Sequence, residues 1–228
     1  MLLLADGRFP AGGHAHSGGL EEAVGNGRVR DAADLEAFLL GRLATVGRVD
    51  AALATAAWAA AADLGALAVL DAEACARCPS PALRAAGRAQ GRGLLRAASS
   101  IWPFPVGHPP GRADQPSPGG LALGPHGPMY PVGLGMVGRH AGLPMAEVAL
   151  VAAQASASGP AWAATRLLGL DPFAVGRCLA GMAGPIDAVA AEAVAATAGG
   201  APLPAYSAPL TEIGAERHAR WEVRLFAS

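Results

Sequence analysis

Asp31-Ala-Ala-Asp-Leu35-Glu-Ala-Phe38-Leu39-Leu-Gly-Arg-Leu43-Ala-Thr-Val46 is the stretch that decides the class of fold. Its apolar positions Leu35, Phe38, Leu39, Leu43 and Val46 recur at steps of three and four, the spacing that lines one face of a helix. Asp31 stands just ahead of them, where a carboxylate can accept the unpaired amide donors of a first helical turn. Working outward, the alanine-rich run 51–62 predicts a second helix and 64–77 a third, because alanine loses least on entering a helix. Pro79 and Pro81 punctuate the chain ahead of a long helix over about 81–100. Beyond it, helices are predicted at 132–142, 144–158, 160–169, 172–183 and 185–199. Pro144 opens one of these, and the pair Asp171-Pro172 opens another. A last helix is predicted near 211–222. Sustained alternation and runs of β-branched residues are missing, so strands are not expected.

The segment from about 103 to 131 is dense in Pro and Gly and reads as a long surface loop between two helical halves. The expected fold is therefore all-α: a compact single-domain array of roughly ten helices with a Pro/Gly-rich central loop. With 52% hydrophobic and 15% charged residues among 228, the chain can bury a sizeable core. Aromatics are only 5%, so that core has to come from helices approaching closely rather than from large side chains.

Charge and targeting signals exclude several classes. All 17 basic residues are Arg, which rules out a P-loop lysine or a Schiff-base lysine. A net charge of −1 supplies no global field for nucleic acid or an anionic membrane. The apolar start, 1–5, is too short for a signal-peptide core. The best candidate span, 148–165, carries Gln154, Ser156, Ser158, Gly159 and Pro160, so a membrane crossing is not expected. Three cysteines make no disulfide framework, and cytoplasm is the expected compartment.

The most distinctive string is Asp6-Gly-Arg-Phe-Pro-Ala-Gly12-Gly13-His14-Ala-His16-Ser17-Gly18-Gly19-Leu20-Glu21. Its glycines permit backbone shapes that other residues resist, and Ser17 can cap a short helix beginning near Gly19 or Leu20. His14 and His16 are candidate metal ligands, with His126 or His140 as further donors; two ligands alone make a weak site. The plainer reading is a glycine-shaped turn. Cys75 and Cys78 form a C-x-x-C, but only Cys178 remains to complete a zinc set, and small buried side chains explain the pair as well.

Arg84, Arg88, Arg92 and Arg96 recur every four residues, and like charges at that spacing repel. They are expected to meet acidic groups within the chain or on a partner. Near the end, Glu212, Glu216, Arg220 and Arg224 place acid before base at helical steps. Trp221, Val223, Leu225 and Phe226 follow, and such apolar residues need burial in the chain's own core or in a partner's groove. Neither a nucleophile elbow nor an H-E-x-x-H is present, and no catalytic residue or cofactor is assigned.

With these residues in view, the chain resembles the UreF family of urease accessory proteins. The likeness is carried by Gly12-Gly13 followed by His16-Ser17-Gly18-Gly19-Leu20-Glu21, and by Arg217-His218 with Arg224-Leu225-Phe226 at the end. Between them, Gly91-Arg92-Gly93-Leu94-Leu95, Tyr130-Pro131-Val132-Gly133 and Thr165-Arg166-Leu167-Leu168 fall in the family's order. His14 stands where that family commonly has Phe.

The resemblance implies an all-α, non-enzymatic chaperone that dimerises and binds a UreD/UreH-type scaffold and a UreG-type GTPase. It also implies engagement of apo-urease, regulation of GTP hydrolysis and a role in nickel insertion. On that likeness the partner-binding residues are Gly12, Gly13, His16, Ser17, Gly18, Gly19, Glu21, Arg217, His218, Arg224, Leu225 and Phe226, with a C-terminal partner-binding tail over about 211–228. Two other readings remain: a His-based metal-binding protein or small metalloenzyme, and a helical interaction module unrelated to urease.

Overall fold

The computed structural model describes residues 1–7, 9–102 and 126–227. Within them the chain forms helices α1 (Leu2–Ala5), α2 (Leu20–Gly25), α3 (Ala32–Arg42), α4 (Arg48–Ala59), α5 (Leu64–Ala76) and α6 (Pro81–Ile101). After the central segment come α7 (Tyr130–His140), α8 (Met145–Leu167), α9 (Pro172–Gly181), α10 (Ala183–Ala198) and α11 (Pro209–His218). No strand occurs among the described residues, and the all-α expectation holds. Most of the expected central loop, 103–125, lies outside the described residues; its last two positions, Tyr130 and Pro131, belong to α7.

Two predicted starts are made by the residues named for them, and a third has a cap that the sequence reading did not name. Asp31 accepts from the amides of Ala33 (3.0 Å) and Asp34 (2.9 Å). Asp171 accepts from Phe173 N–H at 3.1 Å, with Pro172 in the first turn. Ser80 caps α6 through Leu83 N–H at 3.2 Å, ahead of Pro81.

Two expected breaks are not breaks. The helices expected at 31–46 and 51–62 run together as one column, with a π-helical turn at Leu43–Gly47 joining α3 to α4. The helices expected at 144–158 and 160–169 are the single 23-residue α8, with Pro160 inside it. Proline there removes the amide that would bond the carbonyl of Ser156 four residues back. Arg42 supplies the missing donor: its Nε donates to Ser156 O at 2.9 Å. A long-range contact thus repairs a local fault, and the helix continues.

Small residues build the core. Ala149, Ala153, Ala157, Ala161 and Ala164 of α8 and Ala51, Ala54 and Ala57 of α4 are all fully buried, and the two helices pack together. On its other side α4 packs on α7, where Gly135 brings the backbones within van der Waals reach of one another. Alanine and glycine faces take the place of the missing aromatics.

Three arginines of the α6 stripe, Arg84, Arg88 and Arg92, bond the chain's own groups, while Arg96 is exposed. Arg88 pairs with buried Asp71 at 2.8 Å and also donates to the carbonyl of Gly127 and to Cys75 Sγ (3.0 Å). Arg84 donates to the carbonyls of Cys78 and Pro79, both at 2.7 Å, and Arg92 to that of His126 at 2.7 Å. One carboxylate and a set of carbonyls therefore relieve the like-charge repulsion. Asp71 also accepts Met129 N–H at 2.7 Å, so the Asp71–Arg88 pair ties α5, α6 and the entry to α7 together.

No single helix among the described residues is long and apolar enough to cross a membrane; only α9 and α10 taken together, across a 43° bend, have the length and composition. The segment 148–165 lies within α8, which contributes much of the buried core.

Candidate functional site at the joined chain ends

The glycine string folds as a series of tight turns that deliver α2. A short 3₁₀ turn covers Gly13–Ala15, and Gly18 and Gly19 both take positive φ, +61° and +90°, where a side chain is strained. At Gly18 there is also no room: a methyl would lie 2.9 Å from Pro160 Cγ. Arg42 fixes that point with Nη1 donating to Gly18 O at 2.9 Å. One guanidinium therefore holds the N-terminal string to the Pro160 turn of α8. Ser17, expected to cap this helix, is buried and its Oγ accepts Glu21 N–H at 3.2 Å.

The C-terminal segment settles onto this platform in step. Thr211 sits over Gly19, Gly214 packs on the Glu22 carboxylate, and Trp221 lies against Gly25. Each pairing sets a glycine against a bulkier group, which is what lets α11 lie close to α2. Glu22 is itself buried and is satisfied by Arg28 and by Asn26 Nδ2 at 2.8 Å.

Glu21 is the centre of the arrangement. It is 6% exposed, and its Oε1 accepts Leu225 N–H at 2.7 Å. Its Oε2 accepts Phe226 N–H at 3.0 Å and meets His218 Nε2 at 2.9 Å. Because an ionised carboxylate only accepts, Nε2 is the ring nitrogen that carries the proton. His218 and Phe226 are buried, the Phe226 ring lies 5.2 Å from the Arg166 guanidinium, and Ala227 N–H bonds Ala15 O at 2.7 Å.

The expected site residues are thus brought together, but in two roles. His218, Phe226, Ser17 and Glu21 are buried between the chain ends, while Arg217, Arg224 and Leu225 face outward. Val223 is 82% exposed, and Leu210 and Ile213 of α11 are 66% and 51% exposed. The final helix, expected to reach 222, ends at His218, because the chain must leave helical geometry to bring the Leu225 and Phe226 amides back to Glu21. Arg220 and Arg224 therefore lie beyond the helix. Glu216 instead serves the start of α6, accepting from Ser80 Oγ at 2.5 Å and Ala82 N–H at 2.9 Å, and these bonds lower its pKa.

The sequence reading missed a polar chamber behind the glycine string. A cavity of about 150 Å³ and a wider cleft of about 620 Å³ share His16, Gly18, Arg42, Asp50, Gln90 and Tyr130. Burial pushes the Asp50 carboxyl up to about 6, against the pull of Arg42. Burial also raises Tyr130 to about 12 and lowers His16, helped by the charge of His14. The one available signal was Arg42 and Asp50 as charges on otherwise apolar helix faces. Cys78 also lines the smaller cavity; burial pushes its thiol up to about 11, so it is protonated at neutral pH and poorly suited to attack. Among the described residues no three His, Cys, Asp or Glu side chains converge as a metal set, and His14 is exposed.

Comparison with known proteins fits this arrangement. The UreF family model matches residues 29–183. A urease accessory protein UreF from Mycolicibacterium vanbaalenii is 41% identical over 228 residues, covering 100% of this chain and 97% of the relative. A Mycobacterium sp. (strain JLS) protein of the same name is 42% identical with the same coverage, and that of Mycobacterium tuberculosis (strain H37Rv) is 42% identical over 230 residues. The chain belongs to the UreF family. In this UreF chain the family model spans α3 to the start of α10, whereas the glycine string and the tail fall outside it and inside the full-length relatives. The helical body and the two joined ends are thus matched by separate observations.

Proposed function

We propose that the chain is a non-enzymatic urease accessory protein that links a UreD/UreH-type scaffold to a UreG-type GTPase during nickel insertion into apo-urease. It acts in the cytoplasm as a single folded domain, as a homodimer within that complex, and bears on GTP hydrolysis through the docked GTPase. The observation that carries the reading is the composite surface made where the two chain ends join. There Val223, Leu225 and Arg224 of the tail and Leu210, Ile213 and Arg217 of α11 are all exposed. Exposed apolar residues rimmed by charge are the usual anatomy of a protein contact, with apolar anchors at the centre and polar groups around them. Gly19, Ser17 and Glu21 support α11 and the tail from the N-terminal side, with His218 and Phe226 buried among them, and Gly12, Gly13, His16 and Gly18 of the same string belong to the proposed partner surface.

The test is reconstitution. Purified chain mixed with UreD/UreH-type and UreG-type proteins co-elutes on size-exclusion chromatography, and Val223→Asp with Leu225→Asp abolishes scaffold binding without changing the far-UV spectrum. Failure to co-elute under any nucleotide condition refutes the assignment. Undiminished binding by the double variant removes the tail from the interface.

A further inference from the structure

We infer that Glu21 is the positioning residue of the docking tail: its carboxylate gathers the end of the chain into one shape and so holds Val223 and Leu225 outward for a partner. This rests on the proposed docking role of the tail, and it assigns Glu21 a part played through the tail rather than by touching the partner.

After α11 the described residues form no further helix and no strand to satisfy their amides. Ala219, Arg220 and Trp221 still bond back to the last turn of α11, and Ala227 bonds Ala15. Between them, the Leu225 and Phe226 amides both go to Glu21. A buried amide left without a partner is costly, and a bond to a charged acceptor is worth roughly twice a neutral one. One carboxylate therefore supplies both of those bonds and also holds the His218 ring from which the segment departs.

The hydrogen bonds and burial account for the outward display. The chain bends at Leu225 and Phe226, with both amides held by Glu21. Phe226 is turned in and 6% exposed, while its neighbour Leu225 is 55% exposed. Losing the two amide bonds removes that constraint and leaves the Phe226 ring and the Ala227 amide as the remaining anchors. Glu21 is also well placed to be rigid: it lies in the first turn of α2, its own amide bonded to Ser17, and α2 packs on α8 and α11.

Glu21→Gln keeps the side-chain volume but replaces one acceptor oxygen with a donor, which faces donors. The full-length variant is compared with wild type by amide hydrogen exchange, with no partner present. The Leu225 and Phe226 amides are expected to exchange roughly 10- to 100-fold faster, the loss of one charged hydrogen bond, while the Leu39 amide in the core is unchanged. Binding to the scaffold partner falls in parallel. Leu225→Asp is the converse control, losing the partner while the Phe226 amide keeps its protection.

Wild-type protection at 225 and 226 in the Gln variant overturns the inference, whatever the partner does. A loosened tail with unchanged partner binding overturns the link between latch and docking; if Leu225→Asp also binds normally, the docking reading itself falls. Should Leu39 also exchange faster in the Gln variant, Leu225→Pro decides, since it deletes one donor and leaves α2 intact. It must speed exchange at Phe226, and an unchanged rate there overturns the proposal.

Discussion

Asp50→Asn tests whether the polar chamber is a strained, dehydrated environment. The folded-state pKa of Asp50 stands at about 6, against an ordinary value of 3.8, because burial disfavours the charged form more than Arg42 favours it. Since the folded state holds the proton more tightly than the unfolded chain, the contribution of Asp50 to stability is fully present below about pH 4. It is lost as pH rises through about 6 and changes no further above that. A rise from 3.8 to about 6, at about 1.4 kcal/mol per pH unit, is worth up to ~3 kcal/mol.

Asn stays neutral throughout, so the wild type loses up to ~3 kcal/mol relative to the variant between pH 4 and 7. The attraction between ionised Asp50 and buried Arg42 is already contained in the folded pKa of Asp50, so it adds no separate contribution to the pH-dependent difference. Groups such as Glu212, raised by burial, and Asp34, lowered by Arg30, titrate alike in both proteins and cancel in the difference. The assay is urea unfolding of both proteins at pH 4, 5, 6 and 7. Parallel stability curves would refute the reasoning and mean that Asp50 is solvated as in water.

Two further substitutions probe the frame that carries the joined ends. At Gly135→Ala the new methyl meets the carbonyl of Ala54 and lies 2.7 Å from Ala57 Cβ and 2.8 Å from Trp58 N, so α7 must back away from α4. A loss of at least ~1–3 kcal/mol, the usual cost of overpacking, is expected in denaturant midpoint, and an unchanged midpoint would show that the helices do not meet there. Arg88→Met leaves the Asp71 carboxylate buried without its ion pair, with only Met129 N–H to satisfy it. Loss of ~3–5 kcal/mol in chemical unfolding is expected, and a neutral result would show that water reaches Asp71 in place of Arg88.

Much of the fold was legible because its signals are local. Caps at Asp31 and Asp171 act within a single turn, and the apolar steps from Leu35 to Leu43 need only one helix to be read. The errors came where a distant group changed the local rule. Pro160 reads as a helix break until the Arg42 guanidinium is found on its orphaned carbonyl, 114 residues away in the chain. The arginine stripe of α6 calls for acidic groups within the chain or on a partner, and only the fold shows that Arg88 meets Asp71 while Arg84 and Arg92 meet backbone carbonyls instead. For the candidate site, the residues of both ends stand out in the sequence, yet nothing in their spacing says that Glu21 and Phe226, 205 residues apart, share a hydrogen bond.

The amino-acid sequence by itself determined an all-helical body with a core of small residues, since propensity, capping and 3.6-residue periodicity are properties of neighbouring residues. Tertiary structure alone decided which helices run on through proline and which charges are buried in pairs. It also decided that the glycine string and the last residues close on each other around one carboxylate, with Leu225 and Val223 left facing out. Those outcomes depend on which groups meet after the chain has folded back on itself, and a buried polar group is satisfied by whatever donor arrives, not by its sequence neighbour.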